Sequence, residues 1–280
     1  MLKFNSNLIM TILLFAAGIY FILGLILNIP ISDTMFIMGF ILLFLIIVVI
    51  HGWKTLGPRE LLVFFLIAYG ITLLYEYTDG LGFGELLACR SYYSDLLGPK
   101  FLGKTPYIIP LVWSIALYCA FTMTNIIFNR LKTTRKSEEI VSRRWFLKIF
   151  GMGIVTGLIM ASWDLINDPV MVKMGAWGWI CSGPNYYGIP IGNYEAWVEI
   201  SIVVFILFSF YLYKVKKSQI YVDGEKRSSY TLLVVVLYLA LLVIYGIYAL
   251  YGEIISVIPW AAMTMVPLAV ITVIQFYRSK

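Results

Sequence analysis

Two pairs of carboxylates carry the spacing of a working acid site. Asp164 and Asp168, in the string WDLINDP, lie four residues apart; on a helix they share one face, with Cβ atoms roughly 5–6 Å apart. Glu76 and Asp79, in YEYTDG, lie three apart and share a face wherever the helix reaches that far. Pro169 disfavours helix at Asp168 and is expected to end the segment there. Aromatic residues crowd both pairs: Tyr75, Tyr77, Tyr92, Tyr93, Trp163, Trp177, Trp179, Tyr186, Tyr187, Tyr194 and Trp197. Any one ring can be read equally well as part of the interfacial belt of a membrane protein. The acids resist so plain a reading, because ionisable groups at membrane depth are costly and usually functional.

The elements that must position these residues are membrane spans. Apolar residues make up 61% of the 280-residue chain and charged residues 13%, against about 25% charged in a soluble domain. A helix needs about 20 mostly apolar residues to cross the hydrocarbon core. Runs of that kind are 8–27, 34–50, 60–77, 107–129, 146–166, 197–214, 231–251 and 254–277. They predict an all-α, polytopic transmembrane helical bundle of about eight helices. With no Gly/Ser/Pro-rich linker, residues 1–280 form a single integral membrane domain. The first run follows Lys3 as a signal peptide would, but it is long and lacks a clear cleavage site, so it is read as a helix.

Charge sets the expected orientation. Of the 21 Lys and Arg residues, 17 fall on one side of an eight-span arrangement; the other side holds Arg90, Lys100, Lys104 and Lys173. The richer side is expected to be cytoplasmic, with both termini there, in the cell membrane. This asymmetry accounts for the net charge of +6 through anionic lipid headgroups, with no nucleic acid as partner. Ten of the fifteen acids, including both pairs, lie on the other side with the two long loops, 78–106 and 167–196. Each loop carries a Tyr-Tyr step followed by Gly and Pro, a faint repeat suggesting that both face one pocket. Cys89 and Cys181 precede the two Tyr pairs; a disulfide between them is conceivable, and two separate thiols are the simpler reading. Gly153 and Gly157 form a small-xxx-small pair that predicts close helix packing.

His51 is the one histidine, at the far end of the second span from the acids. Membrane di-iron oxygenases need many His ligands, and haem or zinc sites normally need at least one in place. No Gly-rich phosphate loop and no Ser-His or Cys-His pair appears on the acid-bearing side. Neither metal nor cofactor is expected. Two classes remain: acid chemistry on a lipophilic substrate, or movement of protons or ions through the acids.

At these residues the sequence resembles the membrane-type carotenoid hydratases, a family of carotenoid biosynthesis proteins. The likeness runs over 76–197 and is strongest in WDLINDPVMVKMGAWGW (Trp163–Trp179) and YYGIPIGNYEAW (Tyr186–Trp197), with LGPKFLGKTPYIIPLVW (Leu97–Trp113) beside them. The sequence departs from the family between Phe83 and Ser91. The resemblance implies addition of water across a terminal carbon–carbon double bond of a polyisoprenoid, giving a tertiary alcohol. Asp164, Asp168, Glu76 and Asp79 are then the candidate catalytic acids. Trp163, Tyr92, Tyr93, Trp177, Trp179, Tyr186, Tyr187, Asn193 and Tyr194 are the candidate substrate contacts. Burial and a neighbouring carboxylate both favour a neutral acid, which could protonate the alkene. Aromatic faces stabilise the resulting cation, and Glu76 or Asp79 could deprotonate the water. The expected partners are a lipophilic polyene, membrane lipid and other membrane enzymes of the carotenoid pathway. Three alternatives use the same residues or none: a prenyltransferase with Asp164 and Asp168 on magnesium diphosphate, a proton-coupled transporter, and a non-catalytic assembly protein.

Overall fold

The computed structural model describes residues 6–27, 34–78, 90–128, 131–132, 143–180, 184–215, 220–221 and 229–278. Within them each apolar run is a helix. These are α1 (Ser6–Ile26), α2 (Thr34–Thr55), α3 (Pro58–Thr78), α4 (Ile108–Ile127), α5 (Arg143–Lys173), α6 (Ile191–Lys214), α7 (Leu233–Tyr251) and α8 (Val257–Arg278). Seven of them are long and apolar enough, over their described residues, to cross a membrane. Large apolar side chains such as Phe15, Leu62, Leu66, Val243 and Met263 stand exposed on the bundle surface. That is costly in water and natural where the solvent is lipid. The chain is a multi-pass helical membrane protein.

Among the helix boundaries that differ from the sequence expectation, two bear on the site. Pro169 does not end α5, which runs on to Lys173 with the proline inside it. A proline removes one amide donor and crowds the carbonyl a turn back. Here Asp168, Pro169 and Val170 are all buried among neighbouring elements, and that packing outweighs the local cost. The stop comes at Gly175, in the left-handed region at φ 72°. Gly175 N–H donates to Val172 O at 3.0 Å, and Ala176 N–H donates to Met171 O at 2.9 Å. This is the paired closure of a glycine-terminated helix. The second difference is at α6, which starts at Ile191 behind an extended Pro190, six residues before the apolar run. Asn193, Tyr194 and Glu195 are therefore helical rather than part of a loop.

α5 is central, packed against α4, α6, α7 and α8. Its approach to α6 is set by Gly153 and Gly157. A Cβ at Gly157 would lie 2.5 Å from Val198 Cα, and one at Gly153 would lie 2.8 Å from Ile202 Cα. The two backbones touch there, as the small-residue pair predicts. Over the acid-bearing end lies a cap of short strands. β1 (Arg90–Tyr93), β2 (Lys100–Phe101) and β3 (Thr105–Pro106) precede α4, and β4 (Leu131–Lys132) follows it at the opposite end. β5 (Trp177–Ile180), β6 (Asn185–Tyr186) and β7 (Ile189–Pro190) connect α5 to α6, and β8 (Ile220–Tyr221) lies between α6 and α7. The two long loops join through β1 and β5, which pair antiparallel with Tyr93 opposite Trp177.

Candidate active site

Asp164 and Asp168 project from one face of α5, 0% and 2% exposed. At 1.5 Å per residue they sit about 13 Å and about 7 Å below the end of the helix, inside the bundle rather than at its rim. Two carboxamides bridge them. Asn193, from the first turn of α6, donates from Nδ2 to Asp164 Oδ2 at 2.8 Å and to Asp168 Oδ2 at 2.7 Å. Asn167, between the acids on α5, donates to Asp164 Oδ1 at 3.2 Å and more distantly to Asp168 Oδ1 at 3.5 Å. Trp177 in β5 adds its indole N–H to Asp168 Oδ1 at 3.2 Å. The pair is thus held by N–H groups from three elements. Among the described residues neither carboxylate forms an ion pair with Lys, Arg or His.

Aromatic rings wall the pair. Trp113 of α4 packs on Trp197 with ring centres 3.5 Å apart, and edge-on to Trp163 at 5.1 Å. Tyr245 of α7 follows Trp163 at 6.3 Å. Beside this wall runs a groove, lined from α1, α2, α4, α5 and α7 and roofed by Leu97 and Trp177 of the cap, with about 770 Å³ of space when its open mouth is included. Its lining is aliphatic and aromatic apart from Met171 and Asn167, with Tyr245 and Tyr248 among the aromatics.

The other sequence candidates are distributed as follows. Glu76, near the end of α3, accepts a hydrogen bond from the Tyr93 hydroxyl and lies close enough to Asp168 for their charges to interact. Tyr93 also meets Trp177, ring centres 6.3 Å apart. Trp163 is buried in the aromatic wall. Tyr194 faces both acids across α6 and contacts Tyr186 edge-on at 6.1 Å. Burial pushes the Tyr186 phenol up to about 12, so it stays a neutral hydroxyl. Tyr92 and Tyr187 are exposed, the latter bonded to Ser256, and Trp179 is half-buried in the cap. Asp79, Glu85, Cys89 and Cys181 lie outside the described residues. Asp95 is exposed, and the Lys100 ammonium at 2.7 Å holds its carboxyl below the usual carboxylate range. His51 is buried at the opposite end, bonded to the Tyr118 hydroxyl at 2.6 Å and stacked on Tyr230, where it ties α2 to α4.

Three residues of the site were not singled out in the sequence: Asn167, Trp113 and Tyr245. Asn167 had a local signal, since it follows Asp164 by three and so shares its face. Trp113 and Tyr245 had none, because only the packing of α4 and α7 against α5 brings them in.

Bisanhydrobacterioruberin hydratase of Haloarcula japonica is 29% identical to this chain over 146 residues. That match covers 52% of this chain and 42% of the relative, so the likeness spans less than half of that protein's length. No solved structure matches. The sequence profile of the carotenoid biosynthesis protein family matches residues 35–268. The chain belongs to the carotenoid biosynthesis protein family.

Proposed function

We propose that this protein is a hydratase that adds water to a terminal carbon–carbon double bond of a carotenoid or related polyisoprenoid, giving a tertiary alcohol. The observation that carries the reading is the carboxyl pair, buried with no cation beside it among the described residues and bridged by two carboxamides beside an apolar groove. Two uncompensated negative charges at that depth are too costly to coexist, so the pair keeps one proton. Asp164, about one turn deeper in the bundle than Asp168, is the proton donor in this reading. Asp164 protonates the alkene at its less substituted carbon, and a tertiary cation forms at the other. Trp113 and Tyr245, which line the groove with Trp163 packed against both, offer that charge π electrons that attract it without bonding to it. Water adds to the cation and its proton passes to the vacant carboxylate, which restores the pair. Glu76, held by Tyr93, provides a further carboxylate on the cap side for incoming water. The groove takes the end group of the polyene, and the rest of the chain lies in lipid. On the charge asymmetry, the site-bearing end faces outward and both termini face the cytoplasm of the cell membrane.

Expression in a lycopene-producing host, with growth in heavy-oxygen water, tests the reading. The expected pigment gains the mass of one labelled water, keeps its absorption spectrum and forms without air. Label arriving from molecular oxygen overturns hydration by this site, and a five-carbon gain points to prenyl transfer.

A further inference from the structure

Hydration needs a second component besides the proton donor: a water molecule held against the cation, in a site that otherwise repels water. Asn167 is placed to hold it. It is 2% exposed, it bonds both carboxylates, and it is a carboxamide in a groove lined otherwise by aliphatic side chains, Met171 and aromatic rings, the phenols of Tyr245 and Tyr248 among them. The helix period explains this double contact. Met171, a turn beyond Asn167, also lines the groove, so this edge of α5 faces the substrate, while Asp164 and Asp168 turn toward Asn193 of α6. Asn167 lies on the groove side of the acids and still reaches both carboxylates.

We propose that Asn167 is the positioning residue for the nucleophilic water, on the groove side of the acid pair. The inference rests on the hydration reading above. A carboxamide keeps an acceptor oxygen and donor hydrogens without a charge of its own. It can therefore orient a water lone pair toward the cation without quenching the cation. Proton delivery belongs to the carboxyl pair and water capture to Asn167, which makes the two steps separable. After protonation the tertiary cation has two exits. Water can form the new C–O bond and lose its proton to the carboxylate. Failing that, a methyl group next to the cationic carbon can lose a proton to the same carboxylate, and the C–H electron pair becomes an isopropenyl double bond. Either exit regenerates the acid and leaves the atoms balanced.

The experiment compares wild type, Asn167→Leu and Asn167→Ser in heavy water, with a linear carotene as substrate. It reads alcohol, isopropenyl isomer and deuterium in the recovered alkene. With Asn167→Leu, which matches Asn in size and cannot hold water, alcohol should fall by about a hundredfold, as for a misplaced reactant. Deuterium should still enter the alkene, and the isopropenyl isomer should appear. Asn167→Ser, with a small hydroxyl and room for water, should restore part of the alcohol. A parallel loss of alcohol and deuterium in both variants overturns the assignment, since Asn167 would then serve only the acids or the fold. Unchanged alcohol in Asn167→Leu overturns it equally. Should Asn167→Leu fail to accumulate, the alcohol-to-isomer ratio of Asn167→Ser decides: a ratio shifted toward isomer supports the assignment, and an unchanged ratio overturns it. The hydration reading fails separately, by the absence of deuterated alcohol from the wild type.

Discussion

The indole N–H of Trp177 donates to Asp168 Oδ1 at 3.2 Å, so the cap is fastened to the acid pair by a direct bond. Trp177 belongs to the strand that pairs with β1, opposite Tyr93, and Tyr93 in turn donates to Glu76. The cap is thus a structural part of the site, linking the ends of α3 and α5 through two rings.

Removing that bond while keeping a ring separates its role from packing. Hydrogen bonds to charged groups contribute about 1.5–3 kcal/mol, so Trp177→Phe should slow turnover by roughly tenfold to a hundredfold. Expression in the membrane should persist. Turnover equal to wild type would show that the indole only fills space.

The acids themselves give the sharpest contrast. Asp164→Asn keeps size and much of the hydrogen bonding but removes the proposed proton donor, and general acid catalysis is worth about 10²–10⁴-fold. Turnover should drop to the upper end of that range or beyond, with the protein still inserted. Asp168→Asn should cost less, because the deeper acid, Asp164, remains to deliver the proton. If both Asn variants hydrate normally, the pair is structural and Glu76 becomes the candidate.

Trp163→Leu should lower kcat yet leave substrate bound, because a ring that answers to developing charge acts mainly in the transition state. A weakened KM with kcat intact would instead make Trp163 a simple wall of the substrate site.

Gly157→Leu tests the geometry from a distance. Even a Cβ there would meet the Val198 backbone at 2.5 Å, and overpacking a close contact costs about 1–3 kcal/mol. The variant should melt earlier in detergent and lose activity, because moving α6 withdraws Asn193 from both acids. Gly151, which has open space around it, should accept Ala without loss of activity.

Orientation is open to labelling. A cysteine introduced near Lys100 should react with an impermeant reagent from outside, and one near Lys136 should not. The reversed pattern would move the site to the cytoplasmic face.

The helices were legible because lipid imposes the simplest of patterns, a long apolar run, and each run became a helix. Their ends were less so. Hydropathy begins α6 at Trp197 because Asn193, Tyr194 and Glu195 look like loop residues. In the fold Asn193 is helical because its polar group is spent on two acids rather than on water. Pro169 misled for a related reason: a local rule about backbone donors was outweighed by burial around Asp168. Gly175, six residues on, carried the true stop signal in plain view. The acid pair was readable from spacing alone. Trp113 and Tyr245 were not, since nothing near them in the chain foretells which helices α5 will touch.

That Asn193 resides on the next helix has a consequence for biosynthesis. While α5 enters the bilayer it carries two aspartates; one at a helix centre costs about 2.5–3.5 kcal/mol, and less toward the end where these lie. The bridging carboxamide lies 25 residues beyond Asp168 and is still to be translated. Asn167 arrives with the acids, but Asn193 and Trp177 do not. α5 therefore gains from waiting in the insertion machinery until α6 emerges, so that the two helices leave it together as a hairpin with the acid pair already covered. An arrest placed just after residue 173 should leave α5 poorly inserted, and one placed after 214 should rescue it.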